Sequence, residues 1–270
     1  MAKKKILFIS QEIAPYLSNG EASELGRSLP QGLPSKHYEV RTFMPRYGNV
    51  NERRNQLHEV IRLSGVNIDI NDNDHPLIIK VASMHPSRIQ VYFIDSDDYF
   101  EKEDEDADDY GSNRDDNDER AIFFARGTLE TVKKLRWQPE IVQCSGLITA
   151  LSPLYIRHHS EFADAKIVYM VMPGEITGKI DPEIFRKLKE DGLNESILEP
   201  FAEDPFDSAL FHRLAIAASD AVIFHTDAAD PSLLQLVEDL GLPYALKEQI
   251  DTDPKAYMEF YDQLLNDNEE

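Results

Sequence analysis

Short runs of consecutive apolar residues alternate along the chain with segments in which apolar residues recur every three or four positions. The runs predict strands that are buried on both faces, because a half-exposed strand would alternate apolar and polar residues. These strands are expected at residues 5–10, 40–45, 77–82, 89–94, 140–144, 166–172 and 221–225. The helical spacing predicts helices at residues 23–36, 120–136, 148–158, 208–218, 231–240 and 254–265, with a short one near 182–190.

The order of these elements predicts the fold. Strands and helices that alternate around apolar strands indicate an α/β protein with a single Rossmann-like, doubly wound, mostly parallel sheet. The strands at 77–82 and 89–94 are separated by a His85-Pro86-Ser87 turn, so they are expected to form a hairpin insertion. Residues 174–205 show the weakest pattern and are expected to form an irregular insertion around the short helix.

The charge of the chain limits its partners. The 270 residues carry a formal net charge of −22, and residues 95–119 alone contribute −12, which predicts an acidic loop at about 101–115. Nucleic acids and anionic membranes bind proteins through a positive surface, so neither is expected as a partner. The single cysteine, Cys144, excludes an intramolecular disulfide, and no apolar run approaches the length of a membrane span. A cytoplasmic protein is the expectation.

Five segments carry a family resemblance. Residues 5–16, 39–48, 91–100, 116–124 and 137–141 resemble, in order, the motifs of bacterial glycogen synthases and plant starch synthases. Members of that family have the GT-B architecture, in which two Rossmann-like domains face each other across a cleft. The resemblance implies that residues 1–246 form the N-terminal, acceptor-side domain and that residues 247–270 add a C-terminal helix and an acidic tail. Nothing after about residue 246 is expected to form the donor-binding second domain.

The positions that carry chemistry in the family differ here. The family loop K-T-G-G-L-G-D corresponds to residues 18–24, which places Ser18, Gly20 and Glu21 in it. The family sequence C-H-D-W-H-T corresponds to residues 144–149. The family sequence T-I-H-N corresponds to residues 170–173. The changed positions in these two segments are Ser145, Gly146, Ile148 and Met172.

These differences bear on catalysis as the resemblance describes it. Transfer from a sugar nucleotide needs positive charge at the departing diphosphate, and one such contact contributes about 3 kcal/mol. Ser18 removes that charge and Glu21 adds a negative one. A structural alternative is that Ser18 and Glu21 form a capping box, with Glu21 and Glu24 at the positive end of a helix. In either case no catalytic residue is expected in this chain.

The retained motifs contain seven polar or aromatic residues that line the acceptor side of the cleft in the family. If a glucan or small sugar binds, these are the groups expected to contact it; the alternative is that they hold loops together. The seven are Tyr16, Arg46, Tyr47, Asp98, Tyr99, Asn117 and Arg120. The sequence contains no dinucleotide or Walker loop and no spaced ligand set, so no cofactor and no metal are expected.

Two functions follow from the resemblance. The first is a catalytically inactive binding or regulatory module of glycogen metabolism, which takes a glucan or a protein partner. It would form a homo- or hetero-oligomer through the face that the second domain covers in the family. The second is a truncated ADP-glucose-dependent α-1,4-glucan glucosyltransferase that a separate donor-domain chain completes. The missing lysine and histidines favour the first.

Overall fold

The computed structural model describes residues 3–17, 20–101, 110–174, 176–250 and 252–266. Its strands are β1 (Lys4–Ser10), β2 (Tyr38–Pro45), β3 (His58–Glu59), β4 (Val66–Ile70), β5 (Asn73–Met84), β6 (Ile89–Asp95), β7 (Ile141–Ser145), β8 (Lys166–Val171), β9 (Ala221–Phe224) and β10 (Tyr244–Leu246). Its helices are α1 (Glu21–Gly32), α2 (Glu52–Asn55), α3 (Asn117–Lys134), α4 (Ser152–His158), α5 (Ile184–Glu190), α6 (Glu195–Leu198), α7 (Ser208–Ala217), α8 (Pro231–Asp239), α9 (Lys247–Ile250) and α10 (Pro254–Asn266). Short 3₁₀ turns occur at Leu147–Thr149, Ser160–Phe162 and Glu199–Phe201.

Most of the strands form one parallel sheet. The strand order is β10-β9-β8-β7-β1-β2-β6-β5-β3, and every pair from β10 to β6 is parallel. β5 pairs antiparallel with β6, β3 and β4, so the insertion is a small antiparallel extension at one end of the sheet. The chain leaves β1 toward β2 on one side and returns to β7 on the other. This reversal places the topological switch point between β1 and β7, where open parallel sheets bind ligands.

Strand β1 explains why the strands are apolar throughout. Leu7 and Ile9 belong to the larger hydrophobic cluster, while Ile6 and Phe8 belong to the smaller one. Successive side chains on a strand point to opposite faces, so the two clusters lie on opposite faces of the sheet. All four residues are at most 2% exposed.

The two faces are covered by different helices. Residues of α3, α4, α7 and α8 pack in the larger cluster, while residues of α1 and α10 pack in the smaller one. From α10, Tyr257, Tyr261 and Leu264 are buried, and the Tyr261 hydroxyl donates a hydrogen bond to Gln143 Oε1 on β7. The C-terminal helix therefore completes the core of this sheet.

The predicted α/β fold class is confirmed, since the sheet is mostly parallel with helices on both faces and carries the expected β5–β6 hairpin. The sequence pattern did not predict β3, β4 or β10. The division at residue 246 falls at the end of β10, and the acidic tail 267–270 lies outside the described residues, as does most of the acidic loop. Within the described part of the chain, no helix is both long and apolar enough to cross a membrane.

A buried histidine joins α7 to the sheet. His212 Nδ1 lies 2.9 Å from the Tyr169 hydroxyl of β8, and His212 is only 7% exposed. Burial lowers the pKa of His212 from its ordinary value to about 4, because the imidazolium ion would lose its hydration. The folded protein therefore favours the neutral imidazole.

We expect Tyr261→Ala to lower the free energy of unfolding by about 3–5 kcal/mol, because it leaves a cavity between α10 and the sheet. Tyr261→Phe keeps the ring and should lose about 1 kcal/mol, the net value of the hydrogen bond to Gln143. Gln263→Ala, on the exposed side of the same helix, is the matched control and should change stability by less than about 0.5 kcal/mol. Urea unfolding measures all three. Equal midpoints for Tyr261→Ala and the control would contradict the packing of α10.

The second prediction concerns acid stability. As the pH falls, His212 is protonated in the unfolded chain near the ordinary histidine pKa of about 6.5. In the folded protein it stays neutral to about pH 4. His212 therefore costs the folded state stability between those two values, by about 3 kcal/mol at the acid end. Urea unfolding at both ends of this range should show a smaller loss for His212→Gln than for the unchanged protein. The same loss in both proteins would show that His212 does not couple folding to pH.

Candidate functional site

The switch point brings together positions that are far apart in the chain. The segments after β1 and β7 meet there, and the end of β8 lies beside them. Ser145, Gly146 and Met172 line one small cavity together with Gln11 and Glu12. The space that it leaves for water is only ≈ 20 Å³, about that of a single molecule. Of the described residues that line the cavity, none is lysine, arginine or histidine.

Gln11 occupies the place where a ligand would meet the backbone. Its side-chain Oε1 accepts a hydrogen bond of 3.1 Å from the backbone amide of Ile148, and the backbone amide of Gln11 donates to the Ser145 carbonyl at 2.9 Å. Gly146 has a φ of +94°, and a Cβ on it would lie 2.7 Å from the Gln11 Cβ. The Gln11 side chain thus satisfies an amide at the switch point and packs against a position that only glycine fits.

The predicted capping box is wrong in this structure. Helix α1 begins at Glu21, and its N-cap is Gly20, with no side-chain cap. Gly20 has a φ of +105°, a conformation that glycine adopts readily, and among the described residues no side chain caps the helix there. Glu21 is consequently the first helical residue, two positions too early to reach back as a capping box requires. Ser18 lies outside the described residues.

Glu21 instead forms ion pairs across the switch-point face. Its carboxylate lies 2.9 Å from Lys247 Nζ of α9 and 3.2 Å from His225 Nε2 at the end of β9. Lys247 also lies 2.8 Å from Asp227. The hydrogen bond from Lys247 lowers the pKa of Glu21, and the Glu21 and Asp227 carboxylates together raise the pKa of Lys247. The negative charge that Glu21 adds is therefore balanced by this chain's own cation.

The remaining changed positions are apolar and packed. Ile148 is 1% exposed and Met172 is 7% exposed. Met172 also borders a larger cleft of ≈ 640 Å³ above the ends of β8 and β9. Three carboxylates line this cleft, those of Asp207, Asp227 and Asp230, and in the ionised form they only accept hydrogen bonds.

Asn117 and Arg120 bind the protein's own backbone. The Asn117 amide donates to the carbonyls of Gly111, Ser112 and Arg114, and its oxygen accepts from Arg120 Nη1 at 2.6 Å. Arg120 also donates to backbone carbonyls, including that of Tyr99 at 3.0 Å. Both residues are at most 2% exposed. Together they hold the described end of the acidic loop against the start of α3.

Tyr99 and Asp98 belong to a second polar cluster. The Tyr99 hydroxyl donates to Glu119 at 3.1 Å and lies 3.0 Å from His75 Nε2. The other ring nitrogen of His75 lies 2.7 Å from Asp98. Tyr99 is buried, whereas the Asp98 side chain is 55% exposed. Asp98 is thus the most accessible of the seven candidate acceptor-side residues.

Arg46, Tyr47 and Tyr16 follow β2 and β1 and are buried. Arg46 Nε lies 3.0 Å from the buried Asp95 carboxylate and 3.2 Å from Glu52, and the Tyr47 hydroxyl donates to the Gln11 carbonyl at 3.0 Å. Tyr16 packs edge-on against Phe93, and burial raises the pKa of its phenol to about 12. Sugar binding by these seven residues stays a prediction, and six of them are buried with protein contacts.

One carboxylate cluster has the spacing that a cation needs. Oxygens of Asp118, Glu119 and Asp181 approach one another within 4.8 Å. Lys187 Nζ lies among them, at 2.8 Å from Asp118, 2.7 Å from Glu119 and 2.8 Å from Asp181. The Lys187 ammonium group therefore occupies the space that a metal ion would take among these oxygens. Its ion pairs join α5 to α3.

Sequence reasoning missed three residues that shape this region. Gln11, Lys247 and Lys187 lie far along the chain from the groups that they contact, so no local spacing connects them. The one available signal was for Gln11, because the residue after the first parallel strand at a switch point faces the ligand crevice.

Comparisons with known proteins show which family the chain is similar to. The profile of the starch synthase catalytic domain family matches residues 5–225. The glycogen synthase of Chlorobium limicola is 32% identical over 198 residues, which cover 72% of this chain and 40% of that relative. The glycogen synthase of Chlorobaculum parvum is 31% identical over 208 residues, which cover 72% of this chain and 43% of that relative. The chain thus spans about two fifths of the length of these relatives.

A solved structure shows the same fold. The catalytic domain of starch synthase IV from Arabidopsis thaliana, bound to ADP and acarbose, superposes with a TM-score of 0.73 at 16% identity. The superposition covers 91% of this chain and 51% of that one. At this identity the likeness concerns the fold, which is that of a GT-B starch synthase domain. Since the family profile covers most of the sequence, the chain belongs to the starch synthase catalytic domain family.

Proposed function

We propose that this chain is a glycogen/starch synthase-like N-terminal domain that does not transfer glucose by itself and acts as a binding or regulatory module of glycogen metabolism in the cytoplasm. One observation carries the proposal. The switch-point cavity has no lysine, arginine or histidine among its described lining residues and leaves room for about one water. A departing diphosphate needs preorganised cations and amides, and the Ile148 amide is bonded to Gln11 instead.

A neutral glucan is the ligand that the remaining polar groups favour. Sugar hydroxyls donate hydrogen bonds well to carboxylates, and the ≈ 640 Å³ cleft beside Met172 is lined by three of them. Two of the three, Asp207 and Asp230, also accept hydrogen bonds from the first turns of α7 and α8, which holds them in place. Asp227 has a side chain that is 94% exposed, so it can reach a ligand in the cleft.

A protein partner on the same face is the other form of this proposal, as a homo- or hetero-oligomer. Large apolar side chains are exposed in the described surface at Ile61, Phe206, Leu240 and Tyr244. Of these, Phe206 immediately precedes Asp207 of the cleft in the sequence. We place the glucan first because three carboxylates line the cleft, and native mass measurement at micromolar concentration tests for the oligomer.

The third prediction tests transfer. With labelled ADP-glucose and glycogen, the purified chain should incorporate no label above the protein-free blank, because the described residues that line the switch-point cavity offer the diphosphate no cation, and Lys247 nearby is paired with Glu21 and Asp227. Adding the donor-binding half of the Chlorobium limicola glycogen synthase should not restore transfer. Folding of the sample is checked by its cooperative urea transition. Transfer in the mixture would favour the second function, an ADP-glucose-dependent glucosyltransferase completed by a separate chain.

The fourth prediction tests glucan binding. Affinity electrophoresis through glycogen should retard the chain, and Asp227→Ala should weaken the apparent affinity about fivefold to tenfold through the loss of one charged hydrogen bond. Asp164→Ala is the matched control, since Asp164 is an exposed carboxylate just before the opposite end of β8. Asp98→Ala tests the retained motifs. A loss confined to Asp98→Ala would move the glucan out of the cleft, and no retardation of the unchanged chain would contradict glucan binding.

A further inference from the structure

A second large groove lies away from the switch point, between α1, α2 and the β5–β6 hairpin. Its space is ≈ 630 Å³, and it is lined by twelve described residues that include Arg27, Arg54, Arg88, His58 and His85. None of the twelve is aspartate or glutamate. The chain has 50 acidic and 28 basic residues. The described lining of this groove, with three arginines and no carboxylate, therefore has a charge opposite in sign to that of the whole molecule.

The arginines reach this groove from three separate parts of the chain. Arg27 lies on α1, Arg54 lies on α2, and Arg88 lies in the turn between β5 and β6. Among the residues that the structure describes, the side chains of these arginines form no ion pair and no hydrogen bond. None of the described residues that line the groove is a carboxylate, so no ion pair within it offsets the repulsion between these like charges.

The chemistry of the lining fits a phosphate group. A guanidinium group presents its donors as a planar fork, which matches two oxygens of one phosphate. The two histidines can add nitrogen donors, and Tyr16 is also among the lining residues. The volume lies in the range of pockets that enclose small molecules of metabolite size. A polymeric anion is opposed by the net charge of −22 on the rest of the molecule, whereas a short one contacts only the groove.

We propose that this groove binds a small phosphorylated molecule with at least two negative charges, and that Arg27, Arg54 and Arg88 hold its phosphate oxygens. The site lies apart from the ≈ 640 Å³ cleft, with no lining residue in common, so it does not depend on glucan binding. Its occupant is distinguished from a glucan by its charge, and from a nucleic acid by its size.

Inorganic pyrophosphate is the probe. Isothermal titration of the full chain at low ionic strength should show saturable binding of one equivalent. Arg27→Gln, Arg54→Gln and Arg88→Gln should each weaken it about tenfold, the effect of one charge-assisted hydrogen-bonded contact. Raising the salt to the physiological range should weaken it further, because exposed charges are screened.

Arg53→Gln is the matched control. Arg53 is exposed on the same short helix as Arg54 and has the same charge, but it does not line the groove. Arg53→Gln should change the affinity by less than about twofold. Because Arg53 does not touch the ligand, it acts on it only through a charge interaction that the salt screens. Equal weakening by Arg53→Gln and Arg54→Gln would show a diffuse charge effect and overturn the site.

Stability provides a second measurement. If the arginines serve a ligand, each glutamine variant should unfold at the same urea concentration as the unchanged chain or slightly above it, since repulsion is relieved. A structural role predicts a lower midpoint. The proposal would be overturned by a lower midpoint in all three variants or by binding of pyrophosphate that does not saturate. It would also be overturned if maltotriose or a short oligonucleotide bound more tightly than pyrophosphate and the same variants abolished that binding.

Discussion

The burial of β1 on both faces is the constraint on which the rest of the structure depends. Ile6 and Phe8 contact the layer of α1 and α10, while Leu7 and Ile9 contact the layer of α3 and its neighbours. Each layer is therefore held by the hydrophobic effect, which needs no particular polar chemistry at the ends of the strands. The same strand delivers Gln11 to the switch point. A chain can thus keep this fold while the residues at the carboxyl ends of its strands change.

The motifs that it shares with glycogen and starch synthases have a structural reason to persist. Arg120 is 2% exposed and donates hydrogen bonds to three backbone carbonyls and to Asn117, so any smaller or uncharged side chain would leave buried acceptors unpaired. A buried network of this kind is costly to break in part. Arg120 and Asn117 therefore have a role in holding the fold that needs no ligand.

The sequence predicted the main sheet because its longer strands contain short stretches of apolar residues, of which Ile6–Ile9 is an uninterrupted example. It could not predict β3 and β10, which contain two and three residues and are strands only through their neighbours. At the site, the pattern identified the changed positions but not their surroundings. The ion pair between Glu21 and Lys247 joins residues 226 positions apart, and the cap at Gly20 depends on a positive φ rather than on a side chain. Contacts of this range follow from the packed fold and leave no local periodicity.

Net charge and local charge act over different distances in this molecule. The total of −22 sets the field that a long polyanion meets, because such a ligand extends over many Debye lengths of about 8–10 Å. Within one groove the nearest charged groups determine which ligand is attracted. The two concave regions of this domain have local charges of opposite sign. The cleft at β8 and β9 is lined by Asp207, Asp227 and Asp230, whereas the described residues that line the groove at α1 and α2 include three arginines and no carboxylate. The same chain is therefore expected to repel anions at the ends of β8 and β9, and in our proposal it attracts small ones on the flank of the insertion.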